Sequence, residues 1–352
     1  MIRVLVVEDT LVAREFLVHA LNSDPGILVI GTASDGEEAL EAVALNTPDV
    51  ITMDVHMPKL NGLDATRRIM ETHPTPIVVV SGSSNSGQGP LAFTALEAGA
   101  LAVVERPRGI GHPDQKSMVA NLIQTVKLMS EVRVVRRWSR RPASAGHGLI
   151  APTHTDLQRS PAIRLIAIGA STGGPPVLQK ILSTLPSDLA VPVLIVQHIS
   201  PGFSEGFAEW LRQTSALPIH IASHGEIALP GHAYLAQDGR QMSIGADSRL
   251  RLTDDPPENG HRPSVSYLLR SVTKSFGERA VGVLLTGMGK DGAEELKLMK
   301  DCGAVTLAQD KESSVVHGMP GEAIQLGGAT FVLAPDRITT VLASLANPNP
   351  RT

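Results

Sequence analysis

A chain of 352 residues exceeds what one hydrophobic core usually serves, so two domains and a connector are expected. With 42% hydrophobic and 19% charged residues it has the balance of a globular protein, not a disordered one. The 3% aromatic content and net charge of -4 argue against a base-stacking or polycationic surface, so nucleic acid is not an expected partner. No apolar run reaches membrane-spanning length, and Met1 leads into a strand-like run without a signal-peptide core, which predicts a cytoplasmic protein that inserts into no membrane. The single cysteine, Cys302, has no intrachain partner and reads as a small buried residue.

Short β-branched runs at residues 4–7, 28–31, 50–53, 77–80 and 101–104 alternate with stretches of helical apolar spacing. Five βα units with apolar strands imply a parallel sheet covered on both faces, over residues 1–128. Residues 129–161 gather Arg, Pro, Ser, Gly and His without periodicity, as a flexible linker does, and the basic cluster Arg136, Arg137, Arg140 and Arg141 reads as solvated. Strand-like runs resume at 165–168, 193–196, 233–235, 280–285, 304–307 and 330–332, predicting a doubly wound, mainly parallel α/β domain over 162–346. Within it Ser264 caps a helix over 265–276 that stops at Gly277, and 347–352 read as a frayed tail.

In the first domain Glu8 and Asp9 follow the first run directly and Asp54 follows the third, so the three should gather at the C-terminal edge of the sheet. Three carboxylates there repel one another unless a hard divalent cation neutralises them, and Mg²⁺ takes such oxygen ligands. Singly, each acid reads equally as a helix cap or a solvated strand end. Together with the string from Asp54 to Gly62, with Ser81 after the fourth run and with Arg106-Pro107 after the fifth, the set resembles the response-regulator receiver domain. The resemblance implies a flavodoxin-like (βα)5 fold, Asp54 as phosphoacceptor, Glu8, Asp9 and Asp54 as the Mg²⁺ site, and Ser81 as the hydroxyl that senses phosphate. Two positions depart from that pattern: Arg106 stands where lysine is common, and Val103 and Val104 where an aromatic is usual.

The second domain opens on an apolar run into Gly169-Ala170-Ser171-Thr172-Gly173-Gly174, with a helix expected near Pro175. Glycines flanking a serine at a strand-to-helix turn can lift its hydroxyl above the sheet, with backbone N–H groups of the helix start facing developing negative charge. Alone the pentapeptide reads equally as a glycine-rich βα turn. A dinucleotide loop is disfavoured, since Ser171 stands where glycine is needed and the next run ends in Gln197-His198 without an acid. His198 sits where strand meets loop, a place that ordinary capping histidines also occupy. Asp291 follows the run 281–285 in a glycine-rich loop, where a helix N-cap is its plain reading.

Serine becomes a nucleophile when a base takes its proton; imidazole titrates in the right range, and a carboxylate fixes the useful tautomer. Ser171, His198 and Asp291 supply those parts in the order Ser-His-Asp, which differs from ordinary α/β-hydrolases. Five separated strings then resemble the chemotaxis protein-glutamate methylesterases: Gly169 to Gly174, Gln197-His198, Leu285 to Gly289, His261 to Val265, and Val316 to Pro320. The resemblance implies a phosphorylation-regulated Ser171-His198-Asp291 esterase with backbone N–H groups near Thr172 and Met288 as oxyanion hole and no cofactor for the ester reaction. It further implies methyl-accepting chemoreceptor cytoplasmic domains as substrate, deamidation of receptor glutamines, a chemotaxis-type histidine kinase as phosphodonor, and an unphosphorylated receiver that covers the catalytic edge. Ser266, where the family often carries aspartate, and Gln241, where histidine is common, are departures expected to lie clear of the triad. The alternative is a receiver-controlled receptor-docking adaptor with vestigial esterase activity; a two-component transcription factor would instead show a basic helical output module.

Overall fold

The five N-terminal runs become β1 (Ile2–Val7), β2 (Ile27–Ala33), β3 (Val50–Met53), β4 (Ile77–Ser81) and β5 (Ala102–Glu105). They alternate with α1 (Leu11–Asn22), α2 (Gly36–Asn46), α3 (Gly62–Thr72), α4 (Gly89–Ala98) and α5 (Gln115–Ser130). This computed structural model describes residues 1–82, 89–109, 111–132, 134 and 162–347, and the chain divides into two compact units, 1–144 and 145–352. The predicted basic cluster at Arg136 to Arg141 lies outside the described residues, and α5 runs two residues past the expected domain end at 128.

The first sheet is wholly parallel in the order β2-β1-β3-β4-β5, the flavodoxin-like arrangement. β3 shows four buried residues in a row, as a strand covered on both faces must. Val7 on β1 lies opposite Met53 on β3, so the acids that follow these strands leave the sheet at the same level.

The second unit contains β6 (Leu165–Ala170), α6 (Gly174–Thr184), β7 (Val193–Gln197), α7 (Ser204–Thr214), β8 (Ile219–Ile221) and β9 (Ala233–Leu235). After them come β10 (Gln241–Ile244), β11 (Leu250–Thr253), α8 (Val265–Phe276), β12 (Ala280–Leu284), α9 (Ala293–Asp301), β13 (Val305–Gln309), α10 (Met319–Gln325), β14 (Phe331–Leu333) and α11 (Pro335–Ala346). Seven strands form one parallel sheet ordered β14-β13-β12-β6-β7-β9-β8, and β10 and β11 make a separate antiparallel pair. From β6 the chain winds first through β7 and later, in the opposite direction, through β12, so the strand order reverses at the central β12-β6 pair. Ligands of open α/β sheets bind at that place. Leu165, Ile166, Ala167 and Ile168 on β6 are fully buried, and each of the larger side chains contributes about 1.5–3 kcal/mol to stability.

Three strands were not anticipated. β8 has three residues, while β10 and β11 have four each and include polar Gln241, Ser243 and Arg251, too short and mixed for an apolar run to reveal. Cys302 is exposed rather than buried, because it is the C-cap residue of α9, whose last turn faces solvent. Asn347, expected to fray, accepts from the Ala190 backbone N–H at 2.9 Å through its side chain; 348–352 lie outside the described residues.

Candidate active site

At the edge of the receiver sheet Glu8 is fully buried, Asp54 nearly so and Asp9 exposed, and one ligand atom from each lies within 4.8 Å of the others. The Arg106 guanidinium bridges two of them, Nη2 lying 3.0 Å from Glu8 Oε2 and 3.1 Å from Asp54 Oδ2. Burial pushes the Glu8 carboxyl up to about 7, with Asp54's charge adding to it and Arg106 offsetting part. Burial also raises Asp54 against the opposing Arg106 charge and the Val55 N–H, which donates to Oδ1 at 2.7 Å. Among the described residues Glu8 Oε2 has no aligned hydrogen-bond donor, only the ion pair. A hard oxygen set with two buried members, one of them unsatisfied, and an exposed third suits a divalent cation of the Mg²⁺ kind. Ser81 is buried beside this cluster's strands; among the described residues its hydroxyl makes a single 3.4 Å contact, to Gly82 O, while its carbonyl accepts from the Arg106 N–H at 2.7 Å.

In the second unit the turn after β6 is built as the sequence suggested. Gly173 takes φ +76° immediately before α6, a left-handed conformation that a side chain resists, and a Cβ there would lie 2.5 Å from Val315. Ser171 N–H donates to Thr286 O at 3.1 Å, and Gly174 N–H to Ser171 O at 2.8 Å. The loop after β12 presses on the serine: a Cβ on Gly287 would stand 2.7 Å from Ser171 Cβ. Thr286 Oγ1 donates to Thr172 O at 2.9 Å, so the segments carrying Thr172 and Met288 are tied together beside Ser171.

His198 follows β7, one strand over, and its N–H donates to Ala170 O at 2.9 Å. Its ring Nε2 hydrogen-bonds Asp291 Oδ2 at 2.9 Å, and both side chains are almost wholly buried. Ring Nδ1 is buried with no partner among the described residues. Among the described residues no hydrogen bond joins the Ser171 hydroxyl to that ring; Gln197 Nε2 links the two residues through their carbonyl oxygens, at 2.8 Å each.

Asp291 does not cap its own helix, where Gly292 is the N-cap. Instead its carboxylate sits on the N-terminus of α8: Oδ2 accepts from Val265 N at 2.7 Å, and Oδ1 from Ser266 N at 3.1 Å, Ser264 Oγ at 2.8 Å and Asn259 Nδ2 at 3.0 Å. Burial pushes this carboxyl up, but the bond and charge of His198 with the Asn259 and Ser266 donors outweigh it and hold it well below the usual carboxylate range. Ser264 also caps α8 as expected, accepting from Tyr267 N.

The CheB methylesterase family matches residues 166–342 and the response regulator receiver domain residues 4–112. The chain belongs to the CheB methylesterase family. A protein-glutamate methylesterase/protein-glutamine glutaminase of Nitrosospira multiformis is 58% identical over 98% of this chain and 97% of its own. Another, of Geobacter metallireducens, is 56% identical over 98% of this chain and 99% of its own. The crystal structure of the Thermotoga maritima CheB methylesterase catalytic domain is 35% identical, covers 52% of this chain and 98% of that one, and superposes with a TM-score of 0.51.

For this CheB-family chain the expectation for Ser266 needs correction, whereas Gln241 bonds Pro256, His261 and Ser264 and touches no residue of the triad, as expected. Ser266 does touch the acid of the predicted triad, through its N–H, and its hydroxyl accepts from Gly292 N at 2.9 Å. Gln241 is one bond removed, since its Oε1 accepts from Ser264 N at 2.9 Å. Asn259 was not foreseen either. Its signal was the Asn259-Gly260 dipeptide, which here takes φ 51° and 81° in a tight turn between Glu258 and His261. Among the described residues no helix is long and apolar enough to cross a membrane.

Proposed function

We propose that this chain hydrolyses glutamyl 5-O-methyl esters on the cytoplasmic domains of methyl-accepting chemoreceptors, deamidates receptor glutamines at the same site, and does so in the cytoplasm under control of its receiver. Its membership of the CheB family and its likeness to proteins named for both activities support the reaction. The observation that carries the site is the His198 ring: Nε2 is committed to Asp291, Nδ1 is buried and unpartnered among the described residues, and the residue's backbone N–H is bonded to Ala170 O beside Ser171. Nδ1 is therefore the nitrogen left to serve as base.

In this reading Ser171 Oγ attacks the ester carbonyl while His198 Nδ1 takes its proton, and the ionised Asp291 stabilises the imidazolium that forms. Backbone N–H groups of Thr172 and Met288 receive the oxyanion. His198 returns the proton to departing methanol, or to ammonia when the substrate is glutamine. A water, losing its proton to the same nitrogen, then attacks the acyl-enzyme and leaves a glutamate carboxylate and free Ser171. In the receiver Asp54 accepts a phosphoryl group from a chemotaxis-type histidine kinase, with Arg106 as the cation and Ser81 as the hydroxyl facing it. Glu8, Asp9 and Asp54 would hold Mg²⁺, which when bound neutralises the incoming phosphoryl charge. The test is Ser171→Ala, assayed for methanol release from receptor-bearing membranes. The rate is expected to fall by about a thousandfold or more, with receiver phosphorylation by intact mass unchanged. Methanol release near the wild-type rate would sink the mechanism.

A further inference from the structure

We propose that His261 is a positioning residue for this reaction, whose ring, clamped through Gln241, fixes the plane of the His198 imidazole. The inference rests on His198 being the base. His261 lies flat on His198, with ring centroids 3.7 Å apart and planes inclined by 7°. A single hydrogen bond from Nε2 to Asp291 fixes one corner of the imidazole but leaves its tilt free. A ring packed against its face removes that freedom and sets the direction in which Nδ1 points.

His261 is itself built to stay put. It closes the Asn259-Gly260 turn with two backbone bonds to Glu258, 3.0 and 2.8 Å long. Gln241, fully buried at the start of β10, ties the rest of the loop: Nε2 donates to Pro256 O at 3.0 Å and to His261 O at 3.4 Å, and Oε1 accepts from Ser264 N. One amide side chain thus satisfies three backbone groups along a segment that lacks a sheet partner of its own. The same segment delivers Asn259 and Ser264 to Asp291, so both ends of the His198–Asp291 pair are held by one loop.

The stack also demands that His261 be uncharged when His198 takes the serine proton, because two imidazolium rings at this distance repel. Burial first, and then the neighbouring His198, bring His261 down to about 4, with Asp291, the other charged group facing it, opposing them only in part. A neutral π face beneath a forming imidazolium is attractive. His261 acts through His198 and carries no proton itself, so a flat apolar ring should replace it.

The test uses the full-length protein with phosphodonor and methylated receptor membranes. His261→Ala is expected to lower kcat by about tenfold or more with KM within about twofold, because substrate contacts stay and orientation is lost. His261→Phe should restore kcat to within about threefold. Unchanged kcat in His261→Ala, or His261→Phe as inactive as His261→Ala, overturns the proposal; the second result would make His261 a proton carrier. Side-chain ¹⁵N relaxation of histidine-labelled protein gives a reading independent of turnover: a rigid His198 ring in wild type and His261→Phe, a more mobile one in His261→Ala. A ring equally rigid in all three also overturns it. Ser171→Ala separates the two readings, because activity without Ser171 removes the mechanism itself, whereas an inert Ser171→Ala beside a fully active His261→Ala removes only the positioning role.

Discussion

Both halves of the molecule bury carboxylates at the C-terminal edge of a parallel sheet, and they treat them in opposite ways. Glu8, Asp54 and Asp291 are 0%, 5% and 1% exposed, so exposure does not distinguish them. Glu8 and Asp54 are nevertheless pushed up, and Asp291 is held down. The difference lies in the donors. Asp291 collects two backbone N–H groups from the start of α8, two side-chain donors and the His198 ring, whereas Glu8 and Asp54 crowd one another and share one arginine nitrogen. A buried acid satisfied on every side is a fixed anion, suited to orienting a base through each turnover. Acids left short of donors keep a strained site whose charge a cation and a phosphoryl group can relieve, which suits a switch.

The largest test of that contrast removes the fixed charge. Asp291→Asn keeps the shape but offers an amide where Nε2–H donates, so the wrong tautomer of His198 is favoured. Methanol release is expected to fall on the order of a thousandfold. A loss below tenfold would mean that Asp291 serves chiefly as the anion on the α8 N-terminus and not as the partner of the base. On the receiver side Asp54→Ala should reduce the ratio of rates with and without phosphodonor to one, whatever the absolute rate. A variant that still responds would place the phosphoryl group elsewhere.

Much of this was legible in the sequence, and unevenly so. The β6 strand, most of β7, and the larger part of β1 and β3 show as apolar runs because both faces of a parallel strand are buried, and the polar residues just past them mark the candidate functional edge. Hence Glu8, Asp54, Ser171 and His198 could be singled out. The environment of Asp291 could not, because its donors Asn259, Ser264, Val265 and Ser266 come from a stretch at least 25 residues away in sequence that meets it only when α8 packs beside β12. Ser264 was correctly placed as a helix cap, yet the same hydroxyl's bond to Asp291 carries no local pattern. Gln241 was seen only as a departure from its family, since a buried amide bridging three backbone groups looks like any other polar residue in a four-residue strand.

The smallest effect, and the finest probe of the switch, concerns Arg106. Its Nη2 already stands between Glu8 and Asp54, while its Nε is buried without a hydrogen-bond partner among the described residues, so the guanidinium is committed to the acids at one end and unsatisfied at the other. A planar fork can grip a phosphoryl group at two oxygens but must swing as a rigid plate to do so; an ammonium is a compact charge on a flexible stem that can follow the new charge with little rearrangement. Arg106→Lys is therefore expected to raise the esterase's activation per phosphorylated molecule by about two- to threefold, a change of well under 1 kcal/mol. The comparison has to be made at matched phosphorylation, measured by intact mass, because a longer phosphate lifetime alone would imitate a better switch. Equal activation per phosphorylated molecule would show that the receiver needs only a positive charge at this position, and that its response is set by relief of the Glu8–Asp54 repulsion whatever the shape of the cation that supplies it.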